Sequence, residues 1–240
     1  MTRLAVATRP YGVPAVEKIA GRRQGHPFQV LIGTLLSART QDNTTAAACE
    51  RLFKVAPTPR RMLGLSARQI EKLIYPVSFY RHKARHVRAA CRLLLDRFNG
   101  RVPGAMEDLL RLPGVGRKTA NLVLILSFGS QSNICVDTHV HRIANRLGWV
   151  TTSGPEETEM ALYEAIEARW WPHLNLYLVT WGQNVCRPIG PRCGECVLAD
   201  LCARVGVTSR AGAGSQAPRP RRASGRSRTL IEERRRGFPL

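Results

Sequence analysis

The sequence predicts an all-α protein. Apolar residues recur at helical spacing along most of the chain, helix-start signals precede several of those runs, and neither a period-two alternation nor a solenoid repeat is evident. The stretch 28–38, FQVLIGTLLSA, is a buried-looking helix that stops near Arg39-Thr40. Asp42 then has the form of an N-cap for NTTAAACERLF. Ser66 and Gln69 make a capping box that opens ARQIEKLI. Residues 79–98 carry Val87, Ala90, Cys91, Leu94 and Leu95 at helical spacing and end at Asn99-Gly100. A short helix over 106–112 precedes a second over 118–127, and 138–147 is amphipathic. Ser153-Gly154-Pro155 starts a helix that runs to about residue 169, and 174–185 is the last.

Charge narrows the function. The 240 residues carry a net charge of +20, which points to a polyanionic partner. Residues 207–240 hold nine Arg against Glu232 and Glu233, a net of +7 that leaves +13 for the body. The body is therefore basic in its own right, as a nucleic-acid binder should be. The tail, rich in Ala, Gly, Pro, Ser and Arg, is expected to be a disordered basic extension. No apolar run is long enough to span a membrane, and MTRLAVATRPYGVP lacks the apolar core of a signal peptide. The expected location is cytoplasmic.

The positive charge is almost all arginine. Only Lys18, Lys54, Lys72, Lys83 and Lys118 depart from that habit. Arginine binds phosphate well but stays protonated, whereas a desolvated lysine becomes an amine nucleophile. Lys118 follows the tight turn Pro113-Gly114-Val115-Gly116 between two short helices, with Arg117 before it. Such a hairpin lets the backbone approach a phosphate and aims a helix N-terminus at it. Asp137, followed by Thr138, has the form of a helix cap. Cys186, Cys193, Cys196 and Cys202 are spaced C-x6-C-x2-C-x5-C, a set that encloses one metal centre better than it forms disulfides inside a cell. Spacing alone leaves zinc and an iron–sulfur cluster both open.

The sequence resembles the endonuclease III family of helix-hairpin-helix DNA glycosylases. The resemblance rests on LLSARTQD at 35–42, YPVSFYRHKA at 75–84, LPGVGRKTAN at 112–121, VDTHVHRIANRL at 136–147, WGQNVC at 181–186 and the cysteine array, and it covers roughly residues 25–205. It implies that Lys118 attacks the sugar C1′ of a damaged nucleotide and that Asp137 is its paired carboxylate. It implies base-excision repair of oxidised pyrimidines, with strand cleavage by β-elimination at the damaged or abasic site of duplex DNA. It also implies that the four cysteines hold a four-iron four-sulfur cluster. The RPIGPR loop between the first two of them presents Arg187 and Arg192, which are suited to phosphate contacts. Gly114, Val115, Gly116, Arg117 and His139 are the other expected backbone contacts. Phe79 corresponds to a bulky wedge, although as a sequence feature it reads equally well as a core residue.

Arg39 marks a departure. The family commonly has glutamine there to fill the gap opposite the orphaned base, and in this chain glutamine comes two residues later, at Gln41. The expected architecture is two helical subdomains flanking a DNA cleft: 1–22 joined to 134–206 around the cluster, and 23–133 with the hairpin, the enzyme acting as a monomer. Two rivals remain: an adenine-mismatch glycosylase, which lacks a lysine nucleophile, and a weakly active or noncatalytic DNA-binding module.

Overall fold

The computed structural model describes residues 1–22 and 26–207, so the expected basic tail lies, apart from its first residue, outside the described residues. Within them every regular element is a helix. The chain opens with α1 (Thr2–Ala7) and α2 (Ala15–Arg22), two helices that the periodicity did not predict. Then come α3 (Pro27–Ser37), α4 (Asp42–Val55), α5 (Pro59–Leu63), α6 (Ala67–Ile74) and α7 (Tyr80–Phe98). The hairpin helices are α8 (Met106–Leu110) and α9 (Arg117–Phe128), followed by α10 (Thr138–Leu147), α11 (Pro155–Ala165) and α12 (Leu174–Asn184).

Local chemistry explains several ends. Ser66 and Gln69 complete their capping box, with Gln69 N donating to Ser66 Oγ at 3.2 Å and Ser66 N to Gln69 Oε1 at 2.7 Å. Helix α7 stops where Asn99 turns left-handed, φ 55°, the conformation Asn tolerates better than most residues. Asp42 is the first residue of α4 rather than its cap, and Gln41 precedes it in extended conformation. Helix α11 ends at Ala165, short of the expected reach, because 168–173 tightens into a 3-10 helix that includes Pro172.

Two apolar cores organise these helices. Helix α3 is the centre of the first, packing on α2, α4, α7 and α9 through Val30, Leu31, Ile32 and Leu36, all fully buried. The second gathers α1, α10, α11 and α12 around Leu4, Ile143, Leu162, Leu178 and Trp181. Val16 and Ala20 of α2 belong to the first core, whereas the sequence reading groups all of 1–22 with the second. Helix α2 covers the flank of α3, and α1 packs on α12.

The link between the cores is a short non-helical segment, 133–136. Ile134 and Val136 enter the second core while Cys135 enters the first, as successive side chains of an extended chain point to opposite sides. Asn175 Nδ2 holds the Cys135 carbonyl at 3.1 Å, and the Tyr163 hydroxyl accepts from Ile134 N at 3.1 Å.

Ser66→Ala removes one side of the capping box. It should cost about 1 kcal/mol, read as a melting temperature lowered by about 2–4 °C.

Candidate active site

The hairpin positions the first residue of the site. Gly114 has φ +81°, and a Cβ there would lie 2.8 Å from the His86 ring, so both backbone and space demand glycine. A Cβ at Gly116 would meet nothing within 4 Å, which leaves that stretch of backbone open to an approaching ligand. The first hydrogen bond at the start of α9 runs from Ala120 N to Gly116 O. The N–H groups of its first turn therefore have no partner inside the helix.

Two hairpin residues face differently from expectation. Val115 is buried in the first core and its N–H already bonds Leu112 O at 3.0 Å, so it has nothing to offer a phosphate. Arg117 turns to α11, where its guanidinium meets Glu159 Oε1 at 2.6 Å; Glu159 is 3% exposed. The arginine neutralises a buried carboxylate.

Lys118, the second residue of α9, is half-buried in a cleft of about 840 Å3. Asp137 lines the same cleft. The linking segment brings them together: the Cys135 thiol donates to Lys118 O at 3.4 Å, which lays 135–137 beside the start of α9. Asp137 then caps α10, its Oδ1 accepting from His139 N at 2.8 Å and Val140 N at 2.9 Å. Oδ2 has no hydrogen-bond partner among the described residues. The cleft volume is in the range that holds a nucleotide-sized ligand, ~300–1,000 Å3.

The other cleft residues come from both cores. Arg39 and Gln41 lie on one wall and His139 on another. Arg142 Nη2 lies 3.1 Å from His139 Nδ1. Arginine only donates, so Nδ1 accepts and the ring proton sits on Nε2. Burial lowers the His139 pKa, with Asp137 opposing. Gly182 makes room for this pair, since a Cβ there would stand 2.5 Å from His139 Nδ1. Asp42 Oδ2 accepts from Ala15 N and Gln183 Nε2, both at 3.3 Å, tying α4 to the chain on each side of it.

Glu17 is the residue that sequence reasoning missed. It lines the cleft from α2, and burial pushes its carboxyl up to about 7. Its own backbone N–H and the Lys118 charge pull it down, while Asp42 and Asp137 push it further up. The signal that could have found it, an acidic residue in the first turn of a short amphipathic helix, is too common to select one carboxyl.

Phe79 is not a core residue. It is 59% exposed, left-handed at φ 55°, and its ring centroid lies 5.9 Å from the Arg39 guanidinium carbon. Arg187 is exposed, and Arg192 pairs with Glu195 at 3.4 Å.

The four cysteines line one cavity away from the cleft, together with Arg146 and Trp181. Among the described residues no three ligating side chains stand close enough to hold a single metal ion. The donor set nonetheless fits a thiolate-bound cluster. All four thiols are free, Arg146 Nη1 approaches Cys186 Sγ at 3.5 Å, and Arg204 N donates to Cys202 Sγ at 3.4 Å. Arg146 also holds the loop itself, through Arg187 O at 2.6 Å and Pro188 O at 2.9 Å.

A helical hairpin presenting its N-terminal turn to a cleft, with a lysine and a carboxylate inside, defines a class of DNA-directed protein. The HhH-GPD superfamily base excision DNA repair protein family matches residues 32–168, and the chain belongs to it. It is 44% identical over 180 residues to endonuclease III of Thermotoga maritima, covering 75% of this chain and 84% of that one. Endonuclease III of Escherichia coli is 39% identical over 176 residues, covering 73% and 83%. A structure of a trapped endonuclease III–DNA covalent intermediate superposes with a TM-score of 0.71 at 36% identity, covering 75% of this chain and 84% of that one.

Glu17 sets a pH dependence. Its pKa is higher in the folded protein than the ordinary 4.5, so its contribution to stability is complete below 4.5 and is lost as pH rises through about 7. Glu17→Gln should therefore raise the melting temperature measured well above pH 7 and leave it unchanged below 4.5. An equal shift at both pH values would show that the carboxyl is not held neutral.

Proposed function

We propose that the chain excises oxidised pyrimidines from duplex DNA through a covalent intermediate on Lys118 and then cleaves the strand 3′ to the lesion by β-elimination. The reaction class, a base-excision DNA glycosylase with AP lyase activity, follows from its family. What supports the residue assignment is the single cleft that holds Lys118 and Asp137 beside the hairpin turn.

The chemistry assigns each group a task. The Lys118 amine, unprotonated, bonds to C1′ as the glycosidic bond breaks, and that bond's electron pair leaves with the base, which takes up a proton. Loss of a proton from the new ammonium lets the C1′–O4′ bond open, with O4′ protonated, giving a Schiff base. Removal of a C2′ proton then expels the 3′ phosphate, and water releases the lysine. Asp137 Oδ2 faces the positive charge that develops on the sugar while Oδ1 keeps α10 capped.

Reaching the nucleotide requires taking it out of the stack, at a cost of a few kcal/mol. On this reading Arg39 and Phe79 enter the vacated space, with Gln41 beside them. The open backbone at Gly114 and Gly116 and the first turn of α9 receive a phosphate, and such contacts position without reading sequence. His139 offers Nε2–H to the bound strand. Arg187 and Arg192 extend the phosphate track on the cysteine loop. Cys186, Cys193, Cys196 and Cys202 would hold a four-iron four-sulfur cluster, which when bound cross-links the loop against Arg146. The enzyme acts as a monomer at the nucleoid, in the cytoplasm, and no described helix is long and apolar enough to cross a membrane.

Borohydride trapping on duplexes carrying thymine glycol or an abasic site tests the assignment. Wild type should cross-link to both, and Lys118→Gln to neither while still binding DNA. Trapping by Lys118→Gln would remove the lysine from the mechanism. Asparagine caps helices as well as aspartate, so Asp137→Asn separates the two tasks: it should keep the melting temperature yet slow excision by about 100-fold or more. Affinity for undamaged duplex should fall steeply with salt in a binding titration.

A further inference from the structure

We propose that Lys83 is a positioning residue that locks the Arg39 loop and the Phe79 loop into one two-residue wedge for opened duplex DNA. The inference rests on the glycosylase reading of the cleft. It starts from a misfit. In the sequence, Arg81, His82, Lys83 and Arg85 form a basic cluster suited to the DNA backbone, yet Lys83 points inward and is 9% exposed.

Its ammonium finds three acceptors, one for each proton. Nζ donates to Leu36 O at 2.8 Å, Ala38 O at 2.6 Å and Thr40 Oγ1 at 3.2 Å. Leu36 and Ala38 lie at the C-terminal end of α3, where carbonyls lack helical partners and a cation is favoured. Thr40 Oγ1 also accepts from Ser78 N at 3.2 Å, so one hydroxyl joins the two loops. The backbone N–H of Lys83 meanwhile donates to Phe79 O at 3.0 Å. Lys83 thus grips the residues on both sides of Arg39 with its side chain and holds Phe79 with its main chain.

Both loops held this way carry a residue in a strained conformation. Arg39 and Phe79 have φ 53° and 55°, left-handed values rare for side chains of their size. Such conformations persist only where surrounding bonds over-determine them, and they collect at functional sites. Both side chains are exposed and lie against each other, with the guanidinium carbon 5.9 Å from the ring centroid. Arginine at position 83 would not serve, because its planar fork does not spread donors toward three converging acceptors. Burial of the Lys83 ammonium is itself costly, lowering its pKa to about 8, which argues that the grip offsets a real penalty.

The test compares Lys83→Met, which keeps the aliphatic stem, and Thr40→Val, which removes the shared hydroxyl, with wild type. Three readouts are used: excision of thymine glycol from duplex, strand cleavage at an abasic site in single-stranded DNA, and fluorescence of 2-aminopurine opposite the lesion. Single-stranded substrate has no stack to open and needs no wedge. Both variants should lose duplex excision by roughly 10- to 100-fold and lose the 2-aminopurine signal, while single-stranded cleavage stays within about twofold. Equal losses on both substrates, or wild-type duplex excision and fluorescence in folded variants, would overturn the proposal. Absence of cleavage and trapping by wild type on every substrate would instead overturn the glycosylase reading, and this inference with it.

Discussion

Four residues of extended chain, 133–136, are the constraint on which the rest of the site depends. Ile134, Cys135 and Val136 enter the two cores by turns, which couples one core to the other. The same segment lies against the carbonyl of Lys118 and delivers Asp137 as the next residue. Lys118 at the start of one helix and Asp137 at the start of another are thereby fixed on one cleft, although they stand nineteen positions apart in sequence. Arg117 and Glu159 reinforce the join from the α11 side. Breaking that pair would leave Glu159 buried and uncompensated, a cost of a few kcal/mol that the exposure of Arg117 reduces.

The electrostatics of the molecule are layered. The outside is basic enough to hold a polyanion, but the cleft is lined by Glu17, Asp42 and Asp137 around Lys118. On the glycosylase reading proposed above, phosphates would be drawn to the surface while the carboxylates of the cleft would face positive charge developing on a sugar. Asp137 closes a helix end and lines the cleft with the same side chain. One carboxylate oxygen satisfies the open amides of α10, and that bond fixes the direction of the other.

The local signals were legible in the sequence. The Ser66 capping box, the Asn99-Gly100 stop and the span of α10 are all matters of a few adjacent residues, and the structure has them where the pattern put them. Direction was not legible. Val115 sits in a turn that reads as exposed, Lys83 in a run that reads as suited to the DNA backbone, and Arg117 beside a lysine that it does not face. Each is turned by a partner far along the chain: the first core, the end of α3, and Glu159. Glu17 and Gly182 were hidden for the same reason. Glu17 matters only because α2 folds back to the cleft, and Gly182 only because His139 and Arg142 occupy the space its side chain would fill.

The near-neutral carboxyl of Glu17 also bears on how the protein meets DNA. A polyanion settling over the cleft raises the proton affinity of every acid beneath it, and an acid already poised at about 7 is the one most easily tipped. Association would then carry protons from solvent into the complex near neutral pH. Affinity and acidity would be thermodynamically linked, and the heat of complex formation would include a contribution from the ionisation of whichever buffer supplies those protons.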